Sequence, residues 1–589
     1  MAALEQLVEW HPLLWLVPVS SGILLAAIGR HVGHRLLAGL ALAGLLWPLL
    51  QSAAAALFFL VGPTVGYAGL IRVDWFTGRL LSIQFDLGGS GAWAVLVLAA
   101  ACLAAQVFAL AAVARFAGRH RFYALLQLLL ASGAVLFSAR SPMVVLVGWE
   151  GLALSAAFMA GFWESERAGA RTGMRWLLFQ RTSGLLLMLG LIAMPVDVQL
   201  GLWLVVAAAA ARAGQLPFHG WLRDSAGAPA PVAALLYGAA STLAVVYLLV
   251  RLEDALVARP AVGDLLGGLG LAGIGLGLLA GLQQHQPVRV LGWLFVLLSA
   301  FSLLGFAVAD PVAAMLLVTA QTFVLAGLTL AIGTLVGPVA EMRAVRAASG
   351  WRWIRRTIAV LALGWLLPPG IGFVGFGRLL AAAAASDWWW PVVVACGLAA
   401  AGGGWIAVRL QVQLRRPPSA VAAAEQRPSL WMGLVPLLCL AVTMALGIAA
   451  LAIYGWPVVG GATGAAAAAA MAGVGLLGAL AGWGLGRRQL AWIGGRLSRP
   501  QRLMERVAET GLGIGELMVQ LPLWLGRGLG VLIWRVLGDV LIDAVVLGTA
   551  YKTVEGIGFA LRMLQNGRIQ RYALVAVATA LLLVVAMLR

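Results

Sequence analysis

Arg212-Ala213-Gly214-Gln215-Leu216-Pro217-Phe218-His219-Gly220-Trp221-Leu222, followed by Ala228-Pro229-Ala230-Pro231-Val232, is the stretch that decides the fold. It lies between two long apolar runs, and its prolines deny backbone donors to any helix passing through. It reads as a helix interrupted at membrane depth. Such interruptions are tolerated where the backbone is buried in protein or lines a hydrated cavity. Upstream, Val147-Gly148-Trp149-Glu150-Gly151-Leu152 sets a carboxylate inside another apolar run. An ionisable side chain in hydrocarbon costs roughly 2.5–3.5 kcal/mol on insertion scales. Glu150 and Arg212 are therefore candidate functional residues, and together they point to an ion pathway.

Outward from these stretches the chain stays apolar. Of its 589 residues, 62% are hydrophobic and 11% charged, too little polar cover for a soluble domain. Apolar runs recur from end to end, each about 20 residues long, enough to span a ~30 Å hydrocarbon layer. The expected fold is all-α and polytopic, with about 15–16 transmembrane helices. The first apolar run starts near Leu13 and is full length, which predicts a retained span rather than a cleaved leader. The net charge of +18 comes from arginines scattered through short loops. That pattern suits a membrane surface with anionic lipids, not nucleic acid. Cys102, Cys396 and Cys439 lie in apolar stretches without metal-ligand spacing and read as small core residues. No nucleotide loop, nucleophile triad or metal cluster is apparent, so no cofactor is expected on this chain. Trp388-Trp389-Trp390 reads as part of an interfacial aromatic belt.

One bias has chemical consequences. Among 40 basic residues only Lys552 is lysine, and arginine does not release its proton in proteins.

Two further features organise the chain. Leu367-Pro368-Pro369-Gly370 predicts a second broken helix. From 487 to 569 charges punctuate apolar residues at helical spacing, which predicts an amphipathic helix lying along a surface. Pro522 and the glycines of Gly526–Gly530 predict kinks within it. Tyr572–Leu588 predicts a final span.

Val147–Phe162, Arg175–Gly190 and Gln215–Leu236 resemble three consecutive motifs of the proton-pumping membrane transporter family. That family includes the antiporter-like subunits of respiratory complex I and the large subunits of multi-subunit cation/proton antiporters. The likeness is good over 120–250 and weaker elsewhere. Leu564–Leu574, after its amphipathic stretch, is similar to the end of the L-type complex I subunit. The resemblance implies N-terminal transmembrane helices over 1–118, an antiporter-like core over 119–410 and further core helices over 411–486. It also implies a lateral helix over 487–569 and a last span over 570–589.

In that family, as the resemblance implies, buried lysines and a glutamate exchange protons along a hydrated axis. Glu150 matches the glutamate. Arg212 stands where a lysine is usual and is expected to form a buried pair with Glu150. Val324 or a close neighbour stands at the central lysine position, Phe376 at the distal one with Arg378 two residues on, and Tyr237 at a histidine. The ion-translocation candidates are Glu150, Arg212, His219, Tyr237 and Arg378. Each also has a plain reading: a helix-end hydrogen bonder for Glu150, a snorkelling arginine for Arg212, hydrogen-bonding side chains for His219 and Tyr237. Gln321 and Thr322 read equally as wet lining or interhelical glue. Asp86 reads as structural, and His285 and Arg289 as a solvated helix start.

The expected function is a divergent L-type, membrane-arm subunit of a complex I–related NADH:quinone oxidoreductase. It carries no redox site of its own, braces its neighbours, and has an altered or lost proton path. Other membrane-arm subunits and lipids are its expected partners, in a bacterial inner membrane. Two alternatives are the membrane subunit of a two-component inorganic-carbon uptake complex and a structural scaffold in another energy-converting assembly.

Overall fold

The computed structural model describes residues 9–61, 71–74, 82–114, 116, 118–162, 167–284, 286–336, 352–414, 430–454, 473–474, 476–477, 480, 514–564, 567 and 569–588. His285 and the first part of the expected lateral helix, 487–513, lie outside them.

The fold is an all-α polytopic bundle. Among the described residues, 12 helices are long and apolar enough to cross a membrane, and four shorter apolar helices accompany them. The first helices are α1 (Leu13–Ile28), α2 (His34–Val61), α3 (Gly89–Ala112), α4 (Arg119–Phe137), α5 (Pro142–Ala160), α6 (Arg167–Ala193) and α7 (Val198–Arg212). The broken region follows, with α8 (Ala230–Leu236) and α9 (Thr242–Arg251). Then come α10 (Pro260–Gln283), α11 (Pro287–Ala307), α12 (Pro311–Val336), α13 (Arg352–Leu363), α14 (Ile371–Ala384), α15 (Trp389–Gln413) and α16 (Leu430–Tyr454).

α12 is the axis of the bundle: its most apolar stretch is wholly buried. Its threonines lie inside as well, and they are satisfied within their own helix. Thr319, Thr322 and Thr334 donate to the carbonyls of Met315, Val318 and Leu330 at 2.7–2.8 Å. That back-bonding to the preceding turn lets a hydroxyl enter an apolar core at little cost. α2, α6 and α16 lie at the periphery, with fewer than half of the residues in their apolar stretches buried.

One small sheet interrupts the helical pattern. β1 (Ile71–Asp74) pairs antiparallel with β2 (Ser82–Phe85), Ile71 opposite Phe85. Alternating Ile71, Val73 and Ile83, Phe85 gives the period of two that a strand needs. Asp86 follows β2, donates its N–H to the Ser138 carbonyl at 2.7 Å and pairs with Arg140 at 3.5 Å.

Both expected breaks are present. Residues 364–370 separate α13 from α14, and residues 213–229 separate α7 from α8. A third break was not expected: the apolar run 229–250 divides at Tyr237–Ser241. No proline is responsible. Gln321 of α12 donates to the Tyr237 carbonyl and to the Thr242 hydroxyl, both at 3.0 Å, so a neighbouring helix binds the backbone groups that the break exposes.

The chain divides into two compact units, 1–516 and 517–589. In the second, a continuous helix runs from α17 (Ile514–Ile533) through a π-helical segment (Trp534–Leu547) into α18 (Gly548–Leu564). At 1.5 Å per residue or slightly less it is roughly 70 Å long. It continues past Pro522 and Gly526–Gly530, where the sequence predicts kinks. α19 (Ile569–Met587) is the final apolar helix.

Candidate functional site

α7 stops at Arg212 for a local reason. Gly214 takes φ +62°, the left-handed region that costs glycine little. Gln215 then donates to the Ala210 carbonyl and Gly214 to that of Ala211, the paired bonds of a Schellman cap. The cap leaves Arg212 as the last helical residue, with its side chain turned into the bundle.

Arg212 is fully buried. Its Nε and Nη2 donate to the Ala240 carbonyl at 3.2 and 3.1 Å, and Nη1 donates to the Trp149 carbonyl at 3.2 Å. Ala240 lies in the break between α8 and α9. The guanidinium carbon stands 4.1 Å from the Trp149 ring centroid, a cation–π contact worth about 2 kcal/mol when desolvated. Neutral dipoles and a ring face thus solvate this cation.

Glu150 takes a different partner from the one expected. Its carboxylate forms an ion pair with Arg181 of α6, which also donates to the Glu150 carbonyl at 3.3 Å. Arg212 acts on Glu150 through space; among the described residues its hydrogen bonds go to carbonyls alone. The expected Glu150–Arg212 contact is therefore corrected to Glu150–Arg181. The reason is register. α6 packs along α5 with Arg181 level with Glu150, while Arg212, at a helix end, reaches the Trp149 backbone first. Gly184, one turn beyond Arg181, makes the arrangement possible: any side chain there would run into Glu150 Oε1.

The broken segment is buried and tied to its neighbours. His219 opens a short 3₁₀ turn, is buried, and lies 5.7 Å from the Trp293 ring. Gln215 donates to the Val296 carbonyl and the Ser299 hydroxyl at 3.3 and 3.1 Å. Tyr237 is buried, with its hydroxyl 2.6 Å from that of Ser225. These groups tie the segment to α11 and to itself.

Towards the second break the axis turns apolar. Val324 is fully buried. The Phe376 ring meets Phe301 edge-on at 4.9 Å and Trp365 at 5.2 Å. Arg378 points away from this cluster and binds Asp310 at 3.0 Å. Asp310 also caps α12, accepting from the Ala313 N–H at 2.9 Å, a role carboxylates fill well.

The structure thus groups Glu150 with Arg212 but holds His219, Tyr237 and Arg378 in separate hydrogen-bonded settings. Sequence reasoning missed Arg181 and Asp310. A signal for Arg181 existed: a cation in the apolar run of α6 carries the same cost as Glu150. Asp310 stands just before a proline-led helix, a capping position.

Among the described residues, no three His, Cys, Asp or Glu side chains are grouped to hold a metal ion.

Residues 195–401 match the family described as NADH:quinone oxidoreductase/Mrp antiporter, TM. The Pseudomonas aeruginosa protein called NADH-quinone oxidoreductase subunit L is 27% identical over 352 residues, covering 55% of this chain and 57% of that one. The NADH-ubiquinone oxidoreductase chain 5 of Cryptococcus neoformans var. grubii is 23% identical over 328 residues, 51% of this chain and 49% of its own. The chain thus spans about half the length of these curated relatives. Among solved structures, that of the Mrp complex from Dietzia sp. DQ12-45-1b has a chain that superposes with a TM-score of 0.62 at 21% identity, covering 97% of this chain and 63% of that chain. The class is that of antiporter-like, multi-pass membrane proteins. Within it, the named relatives are L-type and chain 5 subunits, the branch to which the Leu564–Leu574 stretch was likened.

Proposed function

We propose that this chain is an L-type, antiporter-like subunit of the membrane arm of a complex I–related assembly in a bacterial inner membrane, and that its own proton route is lost. The carrying observation is the Phe301–Phe376–Trp365 cluster, which fills with aromatic carbon a place where the family resemblance puts a titratable lysine. Arg212 supports the same reading. It stands at the usual site of another such lysine, bonded to carbonyls, and an arginine holds its proton where a desolvated lysine gives it up. Val324 adds a second apolar substitution on that axis. What remains is a rigid bundle that spaces and braces its neighbours, while redox chemistry lies on other chains.

The test is reconstitution into vesicles loaded with a pH-sensitive dye. Under an imposed pH gradient the purified chain is expected to pass protons no faster than protein-free vesicles. Proton flux that disappears in Glu150→Gln would overturn the reading. Membership of the assembly is tested separately, by whether other membrane-arm subunits copurify with the chain in mild detergent.

A further inference from the structure

The continuous helix of the second unit holds a π-helical segment of 14 residues, Trp534–Leu547, between α17 and α18. Such segments are seldom longer than one turn and concentrate at functional sites. What this one does is legible in the phase of the side chains. An α-helix turns about 100° per residue, whereas a π-helix, with its i→i+5 bonds, turns about 80°. In an unbroken α-helix, Arg535, Asp539 and Asp543 would stand about 80°, 120° and 160° round from Arg527. Glu555 and Arg562 would stand about 80–100° round in the opposite sense. The charges would wind about the axis and leave no side apolar. With the π-helical segment in place, all five fall within about 45° of Arg527. Leu525, Leu529, Leu532, Val545, Val546 and Ile557, all exposed, then share the opposite side. Lys552 and Trp524 stand at the border, where an amine on a long stem and an indole ring meet headgroups well.

Two observations identify what covers the apolar side. α18 ends at Leu564 and α19, the final apolar helix, begins at Ile569, so a short connection holds the end of α18 at the level where α19 enters hydrocarbon. Arg562 and Arg571 flank that junction, cations complementary to anionic headgroups. The alternative is a crossing by 542–563, which length and apolarity allow. It would put Lys552 and Glu555 near mid-span, where charge is costly. Lying flat leaves every one of these charges in water.

We infer that the π-helical segment sets the phase of a membrane-surface helix. It keeps one unbroken apolar side, from α17 through α18, in the headgroup–acyl boundary of the bilayer, and one charged edge in water. The inference does not depend on which assembly the chain serves.

The experiment reads thiol reactivity in the full chain, reconstituted into vesicles of phosphatidylethanolamine and phosphatidylglycerol. The native Cys102, Cys396 and Cys439 are buried and do not compete. The discriminating pair is Asp543→Cys and Val545→Cys. In an unbroken α-helix Val545 is in line with Arg527 and Asp543 lies nearly opposite; the π-helical segment exchanges them. A charged maleimide, present inside and outside the vesicles, is expected to label the Asp543→Cys variant at least about tenfold faster than the Val545→Cys variant, because hydrocarbon excludes charge. The reverse order, or equal rates at both positions, would overturn the inference. A fluorophore attached in the Val545→Cys variant is expected to be quenched by brominated acyl chains. An unquenched label would mean that protein or water, not lipid, covers this side, and the inference would fall. Insertions test the phase itself. One alanine after Leu547 turns α18 by about 100° and is expected to open Leu529→Cys or Ile557→Cys to the maleimide. Seven alanines, about two full turns, are expected to leave both protected. Protection that survives the single insertion, or is lost equally with seven, would overturn the phase-setting role.

Discussion

Two charged sites of the core differ in their arithmetic. At the second break, Arg378 and Asp310 form a one-to-one pair, and Asp310 is further satisfied as a helix cap. Near the first, Glu150 is shared between Arg181 in contact and Arg212 through space. The balanced pair closes on itself and ties α14 to the start of α12. The unbalanced cluster keeps an outward-facing cation and a buried one solvated by carbonyls. One site is balanced in charge; the other, among the described residues, is not.

The largest test of that contrast is Glu150→Gln. It strips from two cations the one carboxylate that, among the described residues, interacts with both, and an uncompensated buried charge costs about 3 kcal/mol or more. A marked fall in melting temperature in detergent is expected, and an unchanged melt would show that Glu150 does not hold the cluster together. Gly184→Val comes next. The added methyls collide with the Glu150 carboxylate, and overpacking of this kind costs about 2 kcal/mol; Ile448→Ala, on an exposed helix face, serves as the neutral comparison. Asp310→Asn sharpens the other side. Asparagine keeps the cap and Arg378 is partly exposed, so the loss is expected near 1 kcal/mol, less than for Glu150→Gln. A loss equal to that of Glu150→Gln would erase the distinction between the sites. The smallest effect belongs to Tyr237→Phe, which removes one hydroxyl contact to Ser225. It is expected to cost about 1 kcal/mol or less and to leave proton permeability unchanged in the vesicle assay.

Much of this was legible before any coordinates. Apolar runs gave the spans because the bilayer demands a fixed length of hydrocarbon. Prolines marked the breaks at 213–229 and 364–370 because they cannot continue the hydrogen-bond ladder. The price of charge in lipid marked Glu150 and Arg212. The break at Tyr237–Ser241 was hidden, since Tyr237-Gly238-Ala239-Ala240-Ser241 contains no proline and its cause is Gln321 on another helix. The ion-pair partner was hidden too. Arg212 and Arg181 both lay within plausible reach of Glu150, and the choice between them depends on how α6 slides along α5.

The amino-acid sequence by itself determined that this chain crosses a membrane many times, where prolines break two of its helices, and that its axis lacks lysine. Those properties follow from local chemistry: side-chain solubility, missing backbone donors and the identity of each ionisable group. Only the tertiary structure decided that Arg181 holds Glu150, that Ala240 and Trp149 solvate Arg212, and that Phe376 packs against Phe301 and Trp365. Each of those depends on the relative register of packed helices, which close packing sets and local sequence does not encode.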